Sequence, residues 1–164
     1  MNVALGGTFD PLHDGHRALF DRAFELGDVT VGLTSDGLAA RTRHVDRHVR
    51  PYEARRADLE AELGRYATEY DRQVTVRELT EPTGIATEPQ FEVLVVSPET
   101  ESGGERLNDR RRERGLAPLD IEVVDHVTAA DGDIISSTRI VRGEIDEHGN
   151  LTPERDGRAV ELER

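Results

Sequence analysis

Residues 2–16 read NVALGGTFDPLHDGH: an apolar run, a glycine pair and then two histidines directly ahead of a helical pattern. This order predicts a strand, a tight turn and a helix N-terminus. Backbone N–H groups at a helix N-terminus have no partner within the helix, and the helix dipole favours negative charge there. His13 and His16 are three residues apart, so they would share one face of that helix. The stretch therefore predicts a site for an anion such as a phosphate.

Composition limits the class of protein. The 164 residues suffice for one domain with a real core, and they carry a net charge of −13. A protein that binds the nucleic-acid backbone neutralises its phosphates with cationic side chains, so a net charge of −13 argues against a nucleic-acid partner. A nucleotide-sized ligand is still compatible with it, because local groups can bind such a ligand against an adverse overall field. The absence of cysteine excludes disulfides and thiolate metal sites.

All 21 basic residues are arginine. Strong acidity with arginine in place of lysine favours a halophilic host, because high salt screens surface charges. The alternative is a GC-rich genome, whose codons favour arginine and alanine. No apolar run approaches the length of a membrane span, and no basic start precedes an apolar stretch. We therefore expect a cytoplasmic protein with no membrane partner.

Alternating and helical periodicities predict a regular succession of strands and helices. Strands are expected at residues 2–6, 28–34, 73–79, 91–97 and 119–125. Helices are expected between Asp14 as N-cap and Gly27 as left-handed terminator, from Pro51, from Glu105 to Arg114, and shortly after Ile135. The polar stretches 35–50 and 80–88 are expected to be loops, the first with room for one helical turn.

This alternation predicts an α/β fold, a Rossmann-like, doubly wound parallel five-stranded sheet with helices on both faces. Ligands of such sheets bind beyond the carboxyl ends of the strands, so three polar segments far apart in sequence would meet at one edge. They are residues 8–16, 97–100 and 136–139. We expect one domain over residues 1–150. From about Asp146 the chain is charged and glycine-rich, so we expect it to be loosely attached from there, with a loosely ordered C-terminal tail over 151–164.

Two histidines at this spacing, after a glycine pair that lets the backbone approach a ligand, favour a functional role over simple capping. A rival interpretation is a metal site to which His44 and His48 add nitrogens. No carboxylate or thiolate spacing completes such a site, so we predict no metal held by the protein itself. Phe9 is expected in the core rather than against an adenine ring.

Hydroxyl groups cluster near the other end of the chain, at Ser136, Ser137 and Thr138. Any one of them could simply cap a helix. Three in a row, followed by Arg139 and Arg142, favour a second anion site at which hydroxyls and amides donate to phosphate oxygens.

These residues resemble the two signatures of the HxGH nucleotidylyltransferase superfamily. The signature residues are Gly7-Thr8-Phe9-Asp10 with His13-Asp14-Gly15-His16, and Ile135-Ser136-Ser137-Thr138-Arg139 with Arg142. Within that superfamily the chain is similar to the archaeal type of phosphopantetheine adenylyltransferase. The residues that match are VVSPET at 95–100, Leu107-Asn108 with Arg111 and Gly115-Leu116, and RGEID at 142–146. The similarity covers about residues 2–150.

The resemblance implies a direct transfer of AMP from ATP to 4′-phosphopantetheine, with Mg²⁺ bound alongside the ATP. His16 would stabilise the transition state at the α-phosphate, His13 would hold the triphosphate, and Thr8 would position the reacting groups. The implied ATP-binding residues are Gly7, Thr8, Phe9, His13, His16, Ser136, Ser137 and Thr138. The implied substrate-binding residues are Arg41, Arg43, Ser97, Asn108, Arg111, Arg139 and Arg142.

One position departs from the family. Its members carry a lysine after Thr-Ser-Asp, where this chain has Gly37 after Asp36, so Arg41 or Arg43 would have to supply the cation. A planar guanidinium does not replace an ammonium like for like. Two alternative functions stay open: a related nucleotidylyltransferase acting on FMN, nicotinamide mononucleotide or a polyol phosphate, and an ATP-binding sensor that has lost turnover. The sequence does not indicate an oligomeric state.

Overall fold

A computed structural model describes residues 1–42, 47–82 and 84–152. The strands in these ranges are β1 (Asn2–Gly7), β2 (Asp28–Thr34), β3 (Val74–Leu79), β4 (Val93–Val96) and β5 (Asp120–Val123). They form one sheet in the order β3-β2-β1-β4-β5, and every neighbouring pair is parallel. The strand order reverses at β1, which lies between β2 and β4. The predicted doubly wound sheet is confirmed.

Helices cover both faces of this sheet, because the inner strands are apolar on both sides. The described helices are α1 (Asp14–Leu26), α2 (Asp36–Thr42), α3 (Tyr52–Tyr70), α4 (Glu101–Glu113) and α5 (Ser137–Val141), with a 3₁₀ turn at Ile85–Thr87. In β1, Val3 and Leu5 point to the face that α1 and α3 cover, and Ala4 points to the face that α4 covers. Helices on both faces are therefore also confirmed.

The larger core lies under α1 and α3. Phe20 and Phe24 of α1 and Leu59 and Leu63 of α3 are fully buried in it. The ring of Phe24 also stacks on Tyr66, with 5.7 Å between the centroids. The smaller core, on the α4 face, consists of Ala4, Ile85, Phe91, Leu107 and Leu119. The two cores pack against opposite faces of the sheet, and together they fix the position of the carboxyl ends of its strands.

A helix, α2, occupies residues 36–42, where the sequence predicted a loop. Ser35 Oγ accepts a hydrogen bond from the Leu38 N–H at 3.1 Å, and the Leu38 side chain is buried. The capping serine and the buried leucine stabilise a helix whose own composition gives little apolar periodicity. Residues 43–46 of the predicted loop lie outside the described ranges.

The fourth helix begins at Glu101, four residues before the predicted start. Its first turns contain Gly103 and Gly104, which weaken a helical pattern in the sequence. Gly104 has a packing role, because a Cβ at this position would lie 3.1 Å from Ile121 Cδ1 of β5. Gly104 therefore lowers the helix propensity of this segment and at the same time lets α4 lie close to the sheet.

Gly27 ends α1, but not through left-handed geometry. Its φ is 172°, which is extended backbone, so the predicted left-handed terminator is wrong. Glycine is required for space, since a Cβ would lie 2.1 Å from the carbonyl oxygen of Met1. That oxygen accepts a hydrogen bond from the Asp28 N–H at 3.0 Å and is held in place by the start of β2.

The chain after α5 is attached to the domain through residue 152. Ile145 is buried with Ala129 and Ile135 in a third small core, and it forms an antiparallel bridge with Leu151. The loose attachment expected from Asp146 is therefore wrong for residues 146–152, while 153–164 lie outside the described ranges. None of the described helices is both long and apolar enough to cross a membrane.

Candidate active site

A cavity of about 500 Å³ opens where β1, β2 and β4 end. Gly6 and Gly7 form its wall at the end of β1, and Thr34 does so at the end of β2. Ser97 and Thr100 lie beyond β4, and His16 enters from α1. Although the chain carries a net charge of −13, none of the described residues that line this cavity is Asp or Glu. The lining is therefore suited to an anionic ligand.

The two histidines close the N-terminus of α1 reciprocally. His13 is the N-cap, and its Nδ1 accepts a hydrogen bond from the Gly15 N–H at 3.0 Å. In return His16 Nδ1 accepts from the His13 N–H at 3.2 Å. The predicted N-cap, Asp14, is wrong: it is the first helical residue, and its carboxylate pairs with Arg17 at 2.9 Å. The imidazole rings stack with 3.7 Å between their centroids.

These hydrogen bonds decide where the imidazole protons are. Each Nδ1 accepts from a backbone N–H, so in the neutral rings the proton is on Nε2. Burial, and then the charge of Arg17, lowers the pKa of His13 to about 4 against a small opposing effect of Asp14. Burial, and then the charges of His13, Arg17 and Arg47, lowers the pKa of His16 well below its ordinary value. At neutral pH both rings are neutral Nε2–H donors.

The stability of the fold should depend on His13 in acid. Its pKa is about 4 in the folded protein against 6.5 for a free histidine, so the unfolded chain takes up the proton first as the pH falls. The contribution is complete above pH 6.5 and is lost towards pH 4, by roughly 3 kcal/mol for this group. His13→Asn keeps a capping oxygen but cannot titrate. In urea unfolding, its free energy of unfolding should fall less than that of the unchanged protein between pH 7 and about pH 4.5. Equal falls in the two proteins would contradict a buried neutral His13.

Phe9 is buried in the core, as the sequence predicted, and also shapes the site. Its φ is 51°, in the left-handed region that a bulky residue rarely adopts. Its ring contacts His16 edge-on, with 4.9 Å between centroids, and packs on Phe20 at 5.5 Å. A Cβ at Gly7 would lie 3.0 Å from the Phe9 ring, so the glycine makes room for this arrangement. Phe9 therefore supports the position of His16 from the side.

Thr8 is joined to a group that the sequence did not reveal. Its Oγ1 lies 2.9 Å from Thr34 Oγ1, at the ends of two adjacent strands. The guanidinium of Arg55 in α3 donates to the Thr8 carbonyl at 3.3 Å and to Thr34 Oγ1 at 3.2 Å. Arg55 is fully buried and also pairs with Asp36 at 3.0 Å.

The hydroxyl-rich segment lies beside the first signature, as predicted. Ser137 Oγ donates to the Pro11 carbonyl at 2.7 Å, which ties α5 to the segment ahead of α1. Ser136 caps α5 by accepting from the Arg139 N–H at 3.2 Å, so the capping interpretation holds for this hydroxyl. Thr138 lies in the first turn of α5 and is partly buried.

Asn108 and Arg111 are engaged within the fold, and their expected contact with a substrate stays a prediction. Asn108 donates to the Leu119 carbonyl at 3.0 Å and accepts from the Leu119 N–H at 2.7 Å, both buried bonds. Arg111 is 2 % exposed, and its guanidinium donates to four backbone carbonyls around the Ala86–Phe91 segment and Ala117. These side chains point into the smaller core because α4 packs on the sheet through this face.

The other predicted arginines are placed differently from one another. Arg139 forms ion pairs with Asp131 and Glu144, at 2.5 and 3.1 Å, which engages its guanidinium within the fold. Arg41 donates to the Thr80 carbonyl at 3.1 Å, and Arg142 is exposed at the end of α5. Arg43 lies outside the described residues.

Arg106 of α4, which the sequence did not single out, lines the cavity. It is the one cation among the described lining residues. The sequence predicts a charged helix from Glu105, and nothing in its pattern indicates that the Arg106 side chain faces the cavity.

Among the described residues, no group of three or more histidine, cysteine, aspartate or glutamate side chains is arranged to hold a metal ion. His44, one of the two histidines considered for such a site, lies outside those residues. Together with the lack of carboxylates around the cavity, this means that the described part of the chain offers no ligand set of its own for Mg²⁺.

The fold and the site define a nucleotidyltransferase of the cytidylyltransferase-like type, and a family model of that description matches residues 4–143. Relatives over the full length narrow this class. The chain is 43% identical over 153 residues to the phosphopantetheine adenylyltransferase of Archaeoglobus fulgidus, covering 92% of this chain and 99% of the relative. It is 44% identical over 151 residues to that of Methanothermobacter thermautotrophicus, covering 91% and 88%. The chain belongs to the phosphopantetheine adenylyltransferase family.

Solved structures agree with this fold. A protein of unknown function from Archaeoglobus fulgidus is 40% identical and superposes with a TM-score of 0.64, covering 75% of this chain and 97% of that one. A putative nicotinate-nucleotide adenylyltransferase from Vibrio parahaemolyticus has a TM-score of 0.52 at 13% identity and covers 98% and 91%. The second likeness concerns the fold alone.

Proposed function

We propose that this protein transfers AMP from ATP to 4′-phosphopantetheine, giving dephospho-coenzyme A and pyrophosphate. The observation that carries this proposal is the likeness to phosphopantetheine adenylyltransferases, at 41–44% identity over more than nine-tenths of the chain. The carboxylate-free cavity beside a neutral His16 supports it, since both substrates are phosphate anions.

The reaction needs no covalent link to the protein. A phosphate oxygen of phosphopantetheine attacks the α-phosphorus of ATP, and the bond from that phosphorus to the bridging oxygen breaks, so pyrophosphate leaves with the electron pair. Charge accumulates on the α-phosphate oxygens in the transition state, and hydrogen-bond donors fixed in advance stabilise it. We assign this donor role to His16 Nε2–H, because the ring lines the cavity and is held by its Nδ1.

The remaining residues position the phosphates. In this proposal His13 and the Gly7 backbone bind the triphosphate beside His16, and Thr8 orients the attacking phosphate. The hydroxyls of Ser136 and Thr138 receive the β- and γ-phosphates, together with the Ser137 backbone N–H, since the Ser137 hydroxyl donates to the Pro11 carbonyl. We propose that Arg41, Arg43, Arg142, Ser97 and the cavity-lining Arg106 share the contacts to phosphopantetheine. The four arginines among them are the candidates for the cation that replaces the family's lysine.

Mg²⁺ is proposed to enter bound to the phosphates of ATP, because the described residues offer no ligand set for it. When bound, it would neutralise phosphate charge. We also propose that the protein works in the cytoplasm of a halophilic host; its net charge of −13 and its lack of lysine support the halophilic part.

Pyrophosphate release tests the function. The purified protein is supplied with ATP and Mg²⁺ and, separately, with 4′-phosphopantetheine, FMN, nicotinamide mononucleotide and a polyol phosphate, at low and at molar KCl. We expect product with 4′-phosphopantetheine alone and higher activity at molar KCl. Product with another acceptor would assign the chain to a different activity of the same fold, and ATP binding without any product would favour a sensor.

A further inference from the structure

Arg55 is the largest side chain that the described part of the fold buries completely, at 0% exposure. Four of its five N–H groups have acceptors. Nε donates to the Arg50 carbonyl at 2.8 Å, and Nη2 donates to Asp36 Oδ1 at 3.0 Å. The two protons of Nη1 go to the Thr8 carbonyl and to Thr34 Oγ1. The guanidinium therefore joins the ends of β1 and β2 to the start of α2 from below the cavity.

The direction of the hydrogen bonds follows from the chemistry of the groups. A guanidinium can only donate, so Thr34 Oγ1 accepts from Arg55. Thr34 is 6% exposed, and Thr8 Oγ1, at 2.9 Å, is the acceptor that the structure places beside its own hydroxyl proton. With a lone pair of Thr8 occupied from this side, the Thr8 proton turns away from Thr34.

Thr8 lies next to the cavity, between residues that line it. Gly7, Phe9 and Thr34, its two chain neighbours and its hydroxyl partner, all line the cavity. Thr8 itself is only partly buried, in contrast to Thr34. We propose that Thr34, whose hydroxyl is oriented by Arg55, is a positioning residue that holds the Thr8 hydroxyl as a hydrogen-bond donor towards a phosphate in the cavity. The identity of that phosphate rests on the proposed function.

Kinetics of four proteins test this chain of hydrogen bonds: the unchanged protein, Thr34→Val, Thr8→Val and the double variant. Thr34→Val keeps the shape but removes the hydroxyl, and Thr34→Ala serves if the valine variant does not fold. We expect Thr34→Val to lower kcat for AMP transfer about tenfold or more, with KM for ATP within about twofold. The double variant should match Thr8→Val alone, since Thr34 acts through Thr8.

Two controls separate positioning from a general effect on the strand. Thr34→Ser restores the hydroxyl and should return kcat to within about threefold of the unchanged protein. Thr30→Val makes the same substitution four residues earlier in β2, away from the cavity lining, and should change neither kcat nor KM. Wild-type kcat in Thr34→Val, or a full tenfold further loss when it is added to Thr8→Val, would overturn the proposal.

A failure of the positioning role can be told apart from a failure of the proposed function. If the unchanged protein transfers AMP to none of the acceptors, the proposed function fails, and the same four proteins are compared by calorimetric titration with inorganic phosphate. Positioning then requires Thr8→Val and Thr34→Val to weaken phosphate binding by equal factors that do not multiply in the double variant. Independent, multiplying factors would overturn it.

Discussion

His16→Ala is expected to lower kcat for AMP transfer about 10²-fold or more, the loss typical of removing one donor to a charged transition state. His16 lines the cavity, and its Nδ1 is already bonded to the His13 N–H, so Nε2–H is the ring donor left for a ligand. Burial keeps the ring neutral by lowering its pKa, so the donor is present throughout the neutral range. The ring does not reorganise during the reaction, because stacking on His13 and the edge contact with Phe9 hold it.

Alanine also removes the acceptor for the His13 N–H, so a second pair of variants is needed. In His16→Asn the amide oxygen takes the place of Nδ1 and keeps the helix cap, while the Nε2–H is lost. We expect this variant to melt close to the unchanged protein but to lose kcat as alanine does. His16→Gln brings an amide N–H near the former Nε2 and should recover part of kcat. A loss of about tenfold or less in both the alanine and the asparagine variants would show that His16 is not the central donor.

Arg111→Met is expected to lower the free energy of unfolding by about 3 kcal/mol or more, because it strands several buried acceptors. The guanidinium donates at 2.8–3.2 Å to the carbonyls of Ala86, Glu88, Phe91 and Ala117. Methionine fills much of the volume but donates to none of them. Urea unfolding measures the loss.

Arg112→Met is the matched control one residue along the same helix. Its guanidinium is exposed and pairs with Asp109 at 3.0 Å on the surface, so the change should stay within about 0.5 kcal/mol. The KM for 4′-phosphopantetheine separates the two roles considered for Arg111. If Arg111→Met raises that KM strongly while its unfolding free energy equals that of the control, the residue contacts substrate and the structural role is wrong.

The sheet could be predicted because its causes are local. Residues 28–34 alternate along β2, and residues 93–96 are apolar throughout, as expected for a strand buried between two layers of helices. The histidine pair was also visible, since its spacing and its preceding glycines are adjacent in the sequence. The reciprocal capping by His13 and His16 could not be predicted, because it depends on the orientation of the two rings and not on the residue types.

The buried charges were missed for a different reason. Arg55, Glu62 and Arg111 are charged, and a sequence argument assigns charged side chains to solvent. The spacing does indicate the burial of Arg55, because Tyr52, Arg55 and Leu59 recur at helical intervals on the buried face of α3. The acceptors that make burial possible, such as Thr34 at the end of β2 and the Thr8 carbonyl just after β1, are far away in the sequence and close only in the folded chain.

The bond between Ser137 and the Pro11 carbonyl has a consequence for synthesis. It joins residues 126 positions apart, and His148 meets Asp14 across 134 positions. On a ribosome the histidine signature emerges first, and at 5–20 residues per second roughly 6 to 25 seconds pass before its distant partners leave the tunnel. For the first part of that interval the central strand β1 also has no β4 to pair with. Folding from the N-terminus alone therefore cannot complete the site, because the segments that contact residues 11 and 14 are made last.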